Sequence, residues 1–222
     1  MVQSQSELPR TLIGDLAAAT ALGLAIGVGT YVLLCGFAIT PFTRLGLVLA
    51  IQAGWLYLAL AGARTDLTPD RPHFSCRAAI GVGLLAAGVM ATLGILYDLA
   101  LRFLFSTTPT IGPWGVVPNL KPIPAILVVA MGVVVGPAAE ERFFRGFLYG
   151  CAQRAGWPRL GATISALLFA ACRLDPVNFI AYIGMGLLLA WLYWRTGTLV
   201  TTWTAHTVTN ALMFALLFSG YE

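Results

Sequence analysis

The chain has 222 residues, 59% of them hydrophobic and 10% charged, with a formal net charge of +4. A soluble domain carries about 25% charged residues, so a single aqueous core is excluded and a polytopic membrane protein is implied. The basic residues are spread over loops and form no patch, which argues against nucleic-acid binding and bears instead on membrane orientation.

Apolar runs of spanning length fall, in chain order, at about Leu12–Phe37, Leu45–Ala63, Ala78–Phe105, Ile123–Tyr149, Leu160–Arg173, Val177–Trp194 and Leu199–Phe218. About 20 apolar residues cross the hydrocarbon core as a helix, and helices satisfy their own backbone groups there. The expected fold is all-α, a polytopic integral-membrane helical bundle of about seven to eight transmembrane helices. The first run is too long for a signal-peptide core and reads as a span. The fifth is short and reads as a half-span, or as one that begins near Trp157.

Two polar hinges interrupt the series, Ala63–Arg77 and Ser106–Pro124; the second is rich in Pro and Gly and reads as an irregular cap or re-entrant segment. Residues before Ser106 carry no strong chemical constellation. One membrane domain over residues 1–222 is therefore expected, with N-terminal packing helices over 1–105 and a functional core over 123–217. Arg10, Arg64, Arg71, Arg77, Arg154, Arg159 and Arg195 fall on one side of seven spans, against Arg44, Arg102, Lys121 and Arg173 on the other. That bias favours a cytoplasmic N-terminus. Trp191, Tyr193 and Trp194, just before Arg195, read as an interfacial belt. Cys35, Cys76, Cys151 and Cys172 have no metal-ligand spacing.

Chemistry gathers in the second half. In "GPAAEERFFRGFLYG", Gly136–Gly150, Glu141 and Arg145 are four apart and share a helix face, acid before base, the better orientation for a pair. Glu140 lies about 100° further round and is free to face another element. One anchored carboxylate beside an available one suits the activation of a water. The alternative is an ion pair near a helix end with its basic residues reaching for the headgroups. In "WTAHTVTN", His206 and Asn210 share a face and offer imidazole and amide donors suited to an oxyanion. The alternative there is a plain helix–helix hydrogen bond. In "FAACRLDP", Phe169 and Arg173 are four apart at a helix end, and Arg173 reads as reaching the interface or pairing with Asp175. Asp15 and Asp98 read as lacking a spaced partner.

In this order the segments resemble the CPBP family of intramembrane proteases, the CAAX-protease and bacteriocin-processing or Abi family. Its EExxxR motif is met by Glu140, Glu141 and Arg145, and its HxxxN motif by His206 and Asn210. Its FxxxH motif aligns with Phe169 through Arg173, so that Arg173 stands where the family has histidine. The connecting "NFIAYIGMGLLLAWLYWRTGTLVTTWTAH" agrees, and the resemblance covers roughly Ile123 to Leu217.

It implies a metal-independent glutamic endopeptidase, and the compact length favours a prokaryotic inner (plasma) membrane. The substrate would be a membrane-anchored protein or peptide, such as a prenylated CAAX-like tail, a bacteriocin leader or a C-terminal sorting signal. Glu140 would be the general base, Glu141 its neighbour, Arg145 the organiser, Phe169 a support, and His206 with Asn210 the oxyanion site. No cofactor is implied. Zinc is the alternative, weakened because a catalytic zinc site takes three protein ligands and His73 lies in a polar loop. Arg173 opens a second reading. A guanidinium does not exchange protons as imidazole does, so the chain could be a catalytically silent member that binds membrane peptides in immunity or regulation.

Overall fold

Every element among the described residues is a helix, as the apolar runs dictate. The computed structural model describes residues 74–105, 122–173, 175 and 177–220, with residues 54 and 118 in isolation. The expected spans Leu12–Phe37 and Leu45–Ala63, nearly all of the expected cap over Ser106–Pro124, and Asp15, Cys35 and His73 lie outside the described residues.

Helix α1 is Cys76–Phe105, 30 residues. Its buried stripe consists of small residues (Ala79, Gly83, Ala86, Ala87 and Ala91) with Met90. Small side chains let helix backbones approach closely in membranes. A Cβ on Gly83 would stand 2.7 Å from Thr204 Cβ and 2.8 Å from the Thr201 carbonyl, which seats α1 on helix α5, Leu199–Phe218. The opposite face of α1 turns Leu85, Val89, Leu93 and Leu96 outward, an apolar surface that hydrocarbon solvates without cost. Both α1 and helix α4, Phe179–Thr196, are long and apolar enough to cross a membrane. Asp98 does have a spaced partner: Arg102, one turn on, donates to it at 3.0 Å.

Helix α2 is one run over residues 122–154 that changes its winding. It is α-helical over Pro122–Ala130, π-helical over Met131–Val135, α-helical over Gly136–Glu141, π-helical over Arg142–Tyr149 and α-helical over Gly150–Arg154. Pro137 explains part of this. The Gly136 N–H reaches back to the Met131 carbonyl, five residues away. The next donor at that spacing would be residue 137, and proline has none, so the Gly132 carbonyl must find a partner elsewhere. Helix α5 supplies it: Asn210 Nδ2 donates to the Gly132 carbonyl at 2.8 Å, and Trp203 Nε1 donates to the Val134 carbonyl at 3.2 Å.

Helix α3, Pro158–Ala171, is the short fifth run and begins with proline in its first turn, where no N–H is missed. It packs on α4 at Gly186, where a Cβ would stand 2.8 Å from Ala166 Cα. Gly186→Leu is therefore expected to push α3 and α4 apart and to cost about 1–3 kcal/mol by overpacking. Gly184→Leu, with nothing within 4 Å of its Cβ, is the control. Thermal unfolding of the two variants in detergent checks this, and equal midpoints would contradict it.

The α4–α5 turn follows its sequence. Gly197 takes φ 67°, a left-handed helix end that glycine adopts at no steric cost, and donates to the Tyr193 carbonyl. Thr198 Oγ1 then accepts from the Val200 N–H and starts α5. The belt expected here is only partly present. Arg195 lies over the rings of Trp191 and Trp194, at 6.0 and 5.8 Å. Tyr193, about 200° round from Trp191, is buried against Tyr149 instead.

Candidate active site

Four elements bring polar groups to one place: α2, α4, α5 and the residues after α3. Glu141 and Arg145 pair on α2, with Arg145 Nη1 donating to Glu141 Oε1 at 2.9 Å. The other terminal nitrogen of Arg145 donates to the Gly186 carbonyl of α4 at 3.2 Å. Across from them, two turns into α5, His206 Nδ1 lies 2.8 Å from the same Glu141 oxygen. Its Nε2 lies 3.1 Å from Arg173 Nη2, which also donates to Glu140 Oε2 at 2.5 Å. The polar groups thus form one unbroken series: Gly186 carbonyl, Arg145, Glu141, His206, Arg173, Glu140.

Burial is graded along that series. The Arg145 and His206 side chains are 0% exposed, Glu141 1%, Glu140 9% and Arg173 18%. Glu141 is the inner carboxylate and Glu140 the outer one. A charged network this deep is stable only when its members satisfy one another.

Phe169 is the wall between the two guanidiniums. Arg145 Cζ and Arg173 Cζ each lie 4.6 Å from its ring centre, and the His206 ring meets it edge-on at 5.6 Å. Cations over an aromatic face gain electrostatically, more so when desolvated. Behind it lie Ala139, Phe143, Phe144, Phe147, Leu148 and Cys151, which close the α2 side with apolar packing.

Arg173 faces inward. It neither reaches for the interface nor pairs with Asp175, whose carboxylate instead accepts from the backbone N–H and side-chain amide of Asn178, at 3.2 and 2.7 Å. That turn starts α4, and Tyr97 of α1 fixes it by donating to the Val177 carbonyl at 2.7 Å. Asn210 shares a face of α5 with His206, but its amide nitrogen is held by Gly132 and joins no member of the charged series. Asn210→Leu is expected to cost about 0.6–2 kcal/mol, the range for interhelical side-chain bonds in membranes. In a Pro137→Ala background, where the helix regains its own donor, the loss should shrink. A thermal-unfolding cycle over the four proteins measures it, and additive effects would rule out the link.

Three contributors carried no separable signal in the sequence. Gly186 offers only its carbonyl. Ser165 Oγ, buried, donates to the Phe144 carbonyl in the second π-helical stretch at 3.0 Å. Tyr182 lies beneath the Arg173 guanidinium, 5.7 Å from Cζ to ring centre. Among the described residues, no group of three His, Cys, Asp or Glu side chains is placed to hold a metal ion.

Residues 122–212 match the Rce1-like family model, described as Type II CAAX prenyl endopeptidase Rce1-like. This segment belongs to the CPBP family. Comparison with curated proteins and with solved structures gave no match. The CPBP segment runs from the first residue of α2 to the middle of α5 and holds the whole charged series. It also holds Asn210 and the Gly132 carbonyl that its amide meets. Its CAAX-protease character brings a membrane setting and a peptide or protein substrate.

Proposed function

We propose that the chain is an intramembrane endopeptidase in which Glu140 activates a water to hydrolyse a peptide bond in a membrane-associated protein or peptide. The observation that supports this most is the outer position of Glu140 in a buried network within a CPBP segment. Arg173 engages Oε2, and among the described residues Oε1 makes no hydrogen bond and can accept a proton. In the reaction, Glu140 takes one proton of the water, and the water oxygen bonds to the carbonyl carbon. The C=O electron pair moves to the carbonyl oxygen. When that pair returns, the C–N bond breaks and Glu140 gives its proton to the leaving nitrogen. Glu141 and Arg145 hold the inner network. The family resemblance assigns the oxyanion donors to His206 and Asn210.

The proposed setting is a prokaryotic inner membrane with a cytoplasmic N-terminus, about seven to eight spans and no cofactor. A membrane-anchored tail or leader is the proposed substrate. A second reading has the chain binding such peptides without cleaving them. The Arg173–Glu140 contact favours it, because it ties up one oxygen of the carboxylate that the reaction needs.

The test is cleavage of a prenylated peptide and of a leader-type peptide by purified protein in detergent, compared across Glu140→Ala, His206→Ala and Arg173→His. Cleavage lost in Glu140→Ala and unaffected by chelator supports the peptidase. Cleavage by Arg173→His alone supports the silent form. Loss with chelator and recovery with zinc would overturn the metal-free mechanism.

A further inference from the structure

The hydrogen bonds around His206 constrain which of its nitrogens carries the proton. A guanidinium has donors only, so the contact between Arg173 Nη2 and His206 Nε2 at 3.1 Å requires Nε2 to accept. The proton of a neutral imidazole then sits on Nδ1, where it meets the carboxylate oxygen of Glu141 at 2.8 Å. Both ends agree, since an ionised carboxylate accepts and a ring N–H donates. The ring is fully buried and packed edge-on against Phe169, and the Glu140 carboxylate, 3.8 Å from Nε2, lies beyond hydrogen-bond distance.

This arrangement leaves His206 with no proton to offer at Nε2, the nitrogen on the Glu140 side, 3.8 Å from Glu140 Oε2. An oxyanion needs a donor. Asn210 keeps a second amide N–H, but its amide is anchored on the Gly132 carbonyl and contacts no member of the charged series. Arg173 is different. Both of its contacts run through Nη2, and its Nη1 and Nε make no hydrogen bond among the described residues. It is also the most exposed member of the series, at 18%.

We infer that Arg173 is the oxyanion donor of this site, through Nη1 and Nε, and that His206 is a positioning residue locked in its Nδ1–H form between Arg173 and Glu141. The inference rests on the peptidase reading for the oxyanion and on hydrogen-bond geometry alone for the tautomer. The one residue that departs from the family motif thus takes over the donation that the resemblance assigns to His206 and Asn210. As the carbonyl electron pair moves onto oxygen, the new negative charge develops against a permanent cation whose other contacts hold Glu140 and His206 in place.

Two measurements test it together. The chain has two histidines, so a protein with isotope-labelled histidine, bearing His73→Gln, reports His206 alone by nitrogen NMR. The expected spectrum has a protonated Nδ1 and a bare Nε2. Arg173→Met, which removes the donor facing Nε2 but leaves Glu141 at Nδ1, is expected to keep Nδ1 protonated and to shift the Nε2 signal to that of a nitrogen without a hydrogen bond. Arg173→Lys, which keeps a charged donor, is expected to retain the lock, and its thermal midpoint separates a lost lock from a lost fold. In cleavage assays, Arg173→Met is expected to lower kcat about 10²–10³-fold with little change in KM, as for removal of an oxyanion donor, and Arg173→Lys to recover part of it.

A protonated Nε2 in the parent protein, or an unchanged Nε2 signal in Arg173→Met, would overturn the lock. Cleavage by Arg173→Met at the parent rate or faster would overturn the donor role. If instead the peptidase reading itself fails, with Glu140→Ala as active as the parent, the tautomer result stands unchanged, so the two failures are distinguishable.

Discussion

Glu140→Ala is expected to reduce kcat by about 10²–10⁴-fold, the contribution of a positioned general base, while the protein still folds. The geometry separates the two outcomes. Glu140 is the outer carboxylate, and its hydrogen-bond partner among the described residues is Arg173, itself partly exposed. Removing it leaves Arg173 with His206 on one side and an accessible edge on the other, so no charge is stranded deep in the bundle. The inner pair of Glu141 and Arg145 is untouched. The measurement is cleavage at saturating substrate beside a thermal melt. Full activity in Glu140→Ala would remove Glu140 from the chemistry, and a collapsed melt would make it structural.

Arg145→Met is expected to do the opposite, destabilising the fold by about 3–5 kcal/mol, the cost of breaking a buried ion pair from one side. Arg145 is fully buried, and its two terminal nitrogens serve Glu141 and the Gly186 carbonyl. The variant leaves a carboxylate that is 1% exposed with the His206 N–H and the Thr202 hydroxyl against it and no cation. It also removes the tie from α2 to the Gly186 carbonyl of α4. Adding Glu141→Leu should recover part of the loss, because an apolar pair of similar size tolerates burial better than a lone charge. The recovery should be incomplete, since the bond from α2 to the Gly186 carbonyl is still lost and the His206 Nδ1–H has lost its Glu141 acceptor. A double-mutant cycle on unfolding midpoints reads the coupling directly. Independent, additive effects would mean that the pair does not hold α2 to α4.

What could be read from the sequence was local. The i, i+4 rule places Glu141 beside Arg145 and would have paired Asp98 with Arg102 had it been applied there. The apolar runs give the described helices to within a few residues, since burial and length are properties of the run itself. Where a side chain goes across the bundle was not readable. His206 and Asn210 share a face by spacing, yet they meet different levels of α2: Glu141 for one and the Gly132 carbonyl for the other. The signal for the second was present in Pro137, which must leave a carbonyl without its helical donor. Arg173 carried no such signal. A basic residue at a helix end before Asp-Pro is equally compatible with the headgroups, and only the tertiary position of Glu140 turns it inward.

The gap that Pro137 opens in α2 also has a mechanical side. Its carbonyls borrow donors from α5 at Asn210 and Trp203, and Glu141 meets α5 again at His206. Arg145 ties α2 to α4, and Gly186 seats α4 directly on the α3 backbone. Pulling any of these helices from its neighbour strands a polar group in hydrocarbon or breaks a backbone-to-backbone fit. Beyond α3, Asp175 is held to Asn178 and the Val177 carbonyl to the Tyr97 hydroxyl, beside Arg173. The four helices are thus braced to one another across the bundle, and Arg173, beyond the end of α3, closes the charged series at Glu140.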